Sequence, residues 1–107
     1  MPRYMIEASY SPQGAQGIIK EGGSHRRDLV REFIKQAGGK LETFDYAFGA
    51  NDVYILCEVP DVASAMAMSL AVNASGAVKL RMVPLISIED VDAAAKMQVG
   101  YQPPGQG

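Results

Sequence analysis

The chain has 107 residues, 48% hydrophobic and 21% charged, proportions that suit one globular domain. Ten basic against twelve acidic residues leave a net charge of −2, too near neutral for a nucleic-acid or membrane-surface binder. One cysteine, Cys57, and one histidine, His25, exclude an internal disulfide, a multi-cysteine metal site and any site needing two histidines of the same chain.

Arg3 to Tyr10 alternates as a strand, with Tyr4, Ile6, Ala8 and Tyr10 on one face and Arg3, Met5, Glu7 and Ser9 on the other. Ser11-Pro12-Gln13-Gly14 reads as a turn. Two helical pieces follow. Ala15–Glu21 is broken by Gly22-Gly23, and Ser24 is the expected cap of the second. In the second piece Leu29, Val30, Phe33, Ile34 and Ala37 form an apolar stripe that Gly38-Gly39 ends. Lys40–Phe48 and Val53–Val59 read as a hairpin. A loop of two or four residues would pair Phe48 with Val53, Tyr46 with Ile55 and Phe44 with Cys57. That leaves Thr43, Asp45, Ala47, Tyr54, Leu56 and Glu58 on the opposite face.

Asp61 caps a helix over Val62–Ser75 that is apolar on most sides, which suggests cover from another subunit. Gly76 ends it, Ala77–Ile86 is a fourth strand, and Ser87 caps a short helix through Lys96. Residues 1–99 form one expected domain, and Gly100–Gly107 an extended tail. No apolar run reaches the length of a bilayer span. The start, Met1-Pro2-Arg3-Tyr4, does not read as a signal peptide, so a cytoplasmic location is expected.

The order strand, helix, strand, strand, helix, strand predicts an α+β, ferredoxin-like fold, a four-stranded antiparallel sheet with its helices on one face. The opposite face mixes Met5, Leu56 and Tyr54 with Glu7, Asp45, Glu58 and Arg81. Such a face suits a cavity shared between two packed sheets.

Several stretches are similar to the GYD domain family. They are Tyr46-Ala47-Phe48-Gly49-Ala50-Asn51-Asp52-Val53-Tyr54 with Glu58-Val59-Pro60-Asp61, Glu21-Gly22-Gly23-Ser24 with Arg26-Arg27, Val72-Asn73-Ala74-Ser75-Gly76, and Tyr101-Gln102-Pro103-Pro104-Gly105. Asn51 stands where the family's naming triplet has its tyrosine, so no role of that tyrosine carries over. The resemblance implies a dimeric α/β barrel relative and no particular activity.

The leading candidates are Glu7 and Glu58 as catalytic carboxylates, with Tyr54, Arg81 and Asp45 as ligand-binding residues. The first and third strands are expected to be adjacent and parallel. Both carboxylates would then lie late in their strands on the uncovered face, close enough for general acid/base work. Tyr54 would orient a substrate and Arg81 would hold an anionic group. A salt-bridge network between subunits, or residues that simply face water, would give the same pattern without a ligand. Glu7, Asp45 and Glu58 have hard-metal ligand chemistry but no ligand spacing, so no metal or cofactor is expected.

His25 with Arg26 and Arg27 would suit an anion, although a solvated helix face explains them more simply. Cys57 reads as an inert buried hydrophobe, Gly49 and Asp52 as turn residues, and Met66 and Met68 as packing. The expected function is small-organic-ligand binding by a homo-oligomer, with general acid/base catalysis as its extension. A scaffolding homo-oligomer without small-molecule chemistry is the competing expectation. A ligand-sensing regulator would need a separate DNA-binding partner, because this chain has no room for one of its own. Neither nucleic acid nor membrane is an expected partner.

Overall fold

The computed structural model describes residues 1–106; Gly107, the end of the expected tail, lies outside them. In chain order the elements are β1 (Arg3–Tyr10), α1 (Pro12–Glu21), α2 (Gly23–Gln36), β2 (Lys40–Tyr46), β3 (Val53–Glu58), α3 (Val62–Ala74), β4 (Val78–Pro84) and α4 (Ile88–Ala95). The strands form one antiparallel sheet in the order β2-β3-β1-β4. This is the expected ferredoxin-like α+β arrangement.

One expectation about direction fails. β1 and β3 are adjacent but antiparallel. The α1–α2 crossover returns the chain so that β2 runs in the same direction as β1, and the hairpin then reverses β3 and sets it between them.

Period-two patterning sets the faces. Tyr4, Ile6 and Ala8 are buried while Met5, Glu7 and Ser9 are only partly covered. The core joins them to Val53, Ile55, Cys57 and Val59 from the hairpin, Ile34 from α2, Ala65 and Met68 from α3, and Leu80 from β4. Ile34, Cys57 and Val59 lose all exposure. Full burial of each aliphatic side chain contributes about 1.5–3 kcal/mol.

The hairpin register differs from the expected one by two residues. Tyr46, not Phe48, faces Val53, and Phe44 faces Ile55. Asp52 explains the longer loop. Its N–H donates to the Ala8 carbonyl (2.8 Å), its carbonyl accepts from Ala47 N–H (2.8 Å), and its carboxylate accepts from Tyr10 N–H (2.8 Å). It ties the loop to β1 and is more than a local turn residue. A shift of two keeps every side chain on its face, but it leaves Phe48 past the strand end and fully exposed. A bulge at Glu42 turns Leu41 toward the core opposite Cys57 and frees the Glu42 carboxylate to accept from Arg3 Nε at 2.9 Å.

Helix boundaries follow capping chemistry. Ser11 caps α1, its hydroxyl accepting from Gly14 N–H, and Pro12 occupies the first turn. The expected turn at Ser11–Gly14 is therefore already helix. Gly22, at φ 89°, separates α1 from α2, which starts at Gly23 without a side-chain cap, so Ser24 is not the cap. Leu29 falls outside the buried stripe and is 44% exposed. Asp61 and Ser87 cap α3 and α4 as expected, accepting from Ser64 N–H and Asp90 N–H.

On α3, Ala65 and Met68 face the core while Val62, Met66 and Leu70 form an exposed apolar stripe. Beyond β4 every residue from Ile86 to Gln106 is exposed. The chain there projects as an arm, which gives a longest dimension of 59 Å and a radius of gyration of 17.5 Å. A compact chain of this length has a radius of about 13 Å. Among the described residues no helix is long and apolar enough to cross a membrane.

Candidate functional site

Cross-strand register assembles four of the five candidate residues into one row. Tyr54 pairs with Asp45 on one side and with Glu7 on the other, and Glu7 pairs in turn with Arg81. In strand order the row is Asp45, Tyr54, Glu7, Arg81. Residues directly opposite place their Cβ atoms about 5 Å apart, within mutual reach of these side chains. Among the described residues Glu7 and Arg81 form no ion pair. The Tyr54 hydroxyl accepts from Asn51 Nδ2 at 3.3 Å, which makes Asn51 a neighbour of the row.

The next row is Thr43, Leu56, Met5 and Val83, apolar apart from the threonine at its β2 end. Both rows lie on the face opposite the core, and among the described residues no helix covers them.

Glu58 does not join this group. It pairs with Arg3, and Glu7 lies four residues further along β1. At the antiparallel strand rise, the two carboxylates are separated by roughly 13 Å along the sheet. The expected carboxylate pair fails because it required parallel strands. Glu58 instead shares its end of the sheet with Lys40, Arg3 and Glu42. The Arg3 guanidinium is held above its ordinary value chiefly by its hydrogen bond to Glu42, with Glu58 adding attraction. Among the described residues no cluster of three or more His, Cys, Asp or Glu side chains could hold a metal ion, so Glu7, Asp45 and Glu58 do not converge as ligands.

A second cluster lies on the helix side of the sheet. A cavity of about 60 Å³ separates the sheet from α2 and α3, lined by core side chains including Val30, Phe33, Val53, Met68 and Val72. Tyr10 and Arg26 are its polar lining residues. Burial pushes the Tyr10 phenol up to about 12, with Tyr46 and Asp52 acting in the same direction and Arg26 opposing them. Tyr46 is also raised, chiefly by burial, and its hydroxyl donates to the Gly23 carbonyl at 3.0 Å. Of the basic residues opening α2, His25 and Arg27 are exposed, and only Arg26 is partly covered.

Sequence reasoning placed Tyr10 and Tyr46 on the apolar face but gave them no chemistry. Their signal was present: a tyrosine on a core face needs a partner for its hydroxyl, and both stand at strand ends. Cys57 is fully buried, and burial pushes its thiol up to about 11, as suits an inert core residue.

Fold and register define a ferredoxin-like α+β protein with one helix-covered and one open sheet face. The GYD domain family profile matches residues 4–95, and the chain belongs to that family. No curated protein and no solved structure matches it.

Proposed function

We propose that this protein binds a small organic ligand on the open face of its sheet, enclosed there by a second copy in the manner of a dimeric α/β barrel. The observation that carries this reading is the Asp45–Tyr54–Glu7–Arg81 row beside the apolar Leu56–Met5–Val83 row. A few convergent polar groups next to apolar wall are what a ligand pocket needs. Arg81 supplies an anion contact, Tyr54 an orienting hydroxyl and Glu7 a single carboxylate. General acid/base turnover, if it accompanies binding, rests on Glu7 without Glu58. A cytoplasmic location belongs to the same reading.

Native mass spectrometry of the protein purified from its source tests this. The expected species is an even-numbered oligomer carrying extra mass that E7Q and R81Q lose while the oligomer persists. Variants that alter assembly but never the retained mass would overturn the reading, and so would a monomer at every concentration.

A second reading, a scaffolding homo-oligomer, is favoured by the projecting arm. Ile86, Ile88, Val91, Met97 and Val99 are all more than half exposed. Exposed apolar surface of this extent marks an interaction site.

A further inference from the structure

Arg26 occupies an unusual position. It is partly covered, yet among the described residues it joins no ion pair, whereas its neighbours Arg27 and Arg31 both pair with Asp28. Its side chain borders three hollows. One is the inner apolar cavity of about 60 Å³. The second, of about 180 Å³, lies toward α1 and includes Tyr10, Ile18 and Glu21. The third, of about 320 Å³, lies toward α3 and includes Ala71, Val72 and Ser75. Val78 lines all three. Arg26 thus lies at the border of an apolar interior and two hollows that open to solvent.

Arg26 has no ion-pair partner among the described residues, and an incoming carboxylate would supply one through two parallel hydrogen bonds. We propose that the cleft at Arg26 binds a small apolar monocarboxylate, its hydrocarbon part among Phe33, Met68, Val72 and Val78 and its carboxylate held by Arg26 beside the Tyr10 hydroxyl. The inner cavity exceeds the roughly 10–15 Å³ that one water needs, and its lining offers carbon where water would want polar partners. Tyr10 stays protonated throughout the neutral range and remains a donor. Two carboxylates border the cluster: Glu21 in the outer hollow, and Asp52, which is engaged with the Tyr10 amide. They oppose a dianion such as phosphate and leave one guanidinium for one negative charge. This site lies on the opposite face of the sheet from the Glu7 row and is complete within one chain.

NMR titration of the full ¹⁵N-labelled chain tests the proposal, with phenylacetate, its neutral counterpart phenylacetamide, and inorganic phosphate as probes. Phenylacetate is expected to give saturable shifts at Tyr10, Arg26, Val72 and Val78. The amide and phosphate should bind about tenfold more weakly or worse, and R26Q should weaken phenylacetate by a similar factor. V72F, which fills the cavity from α3, should abolish the inner shifts. The amide comparison uses the unaltered protein, so it stands even if a variant misfolds. Equal binding of acid and amide, equal binding of phosphate, or no saturable shift at these residues overturns the proposal. Shifts confined to Glu7, Tyr54 and Arg81 would overturn it too while supporting the sheet-face site.

Discussion

The Asn73 carboxamide bonds both backbone groups of Leu80. Its Oδ1 accepts from Leu80 N–H at 2.7 Å, and its Nδ2 donates to the Leu80 carbonyl at 3.1 Å. β4 is an edge strand, and these groups would otherwise be open to water or to a foreign strand. One side chain on α3 thereby fixes the helix to the sheet edge and blocks pairing there. N73A should cost about 1–3 kcal/mol in urea unfolding, because two partly buried groups lose their partner. N73D should also destabilise, since a carboxylate has no N–H for the Leu80 carbonyl. An unfolding midpoint unchanged in both variants would leave the clamp without energetic weight.

Glu7 and Glu58 should behave as separate residues. E7Q removes the carboxylate between Tyr54 and Arg81, and the ligand-loaded oligomer should fall about tenfold in the native mass spectrum. E58Q alters the charge cluster around Arg3 and should leave ligand loading unchanged. Equal losses from both would mean that the two ends of the sheet act as one site.

The faces of the sheet were legible because strand side chains alternate with a period of two. That pattern survives any even shift, so Tyr4, Ile6, Ala8, Val53, Ile55 and Cys57 fell inward even though the hairpin register moved by two. Phe48 was misplaced because loop length depends on where Asp52 is held, and its partners, Ala8 and Tyr10, lie in a distant strand. The Glu7–Glu58 pairing failed on strand direction, which follows from the crossover and not from either strand's residues. The Arg26 cavity depends on how α2 and α3 pack over the sheet, and no local pattern carries that information.

Alkaline stability should report on Tyr10. Its phenol is raised to about 12 against an ordinary value of 10, chiefly by burial. Between these values the unfolded chain has lost the proton that the folded chain keeps, so stability falls as pH rises. The contribution is fully present below pH 10 and is lost toward pH 12. Cys57, raised to about 11, adds slope of the same sign beginning lower. Y10F should flatten the decline in this window and remove a late step from the tyrosinate absorbance titration. Loss of an ordinary step near pH 10 in Y10F, with the late step still present, would contradict the burial of this hydroxyl.

Two glycines of α1 should respond in opposite directions. A Cβ on Gly14 would lie 2.2 Å from the Ala77 carbonyl oxygen, which also accepts from both the Ser11 amide and the Ser11 hydroxyl. G14A must push α1 off the start of β4, and overpacking of this kind costs about 1–3 kcal/mol. Gly17 has open space around its missing Cβ. G17A should gain about 0.5–1 kcal/mol from helix propensity alone. Thermal melts of the two variants check the contrast, and destabilisation by G17A would point to a contact on that face.

Truncation after Ser87 separates folding from assembly. α4 and the residues after it are exposed, so they bury nothing that the rest of the chain needs. Urea unfolding of the truncated and full chains, measured at a dilution where both are monomeric, should match. Assembly should respond differently. Ile88 and Val91 lie three apart on one face of α4, and both are more than half exposed. Ordered apolar side chains held away from their own core gain stability only against another surface. The exposed Val62–Met66–Leu70 stripe of α3 offers one on a second copy. Sedimentation velocity should therefore show the truncated chain, and the double variant I88D/V91D, dissociating at concentrations where the full chain stays associated. If both assemble like the full chain, the arm is free in solution and the contact between copies must come from the open sheet face alone.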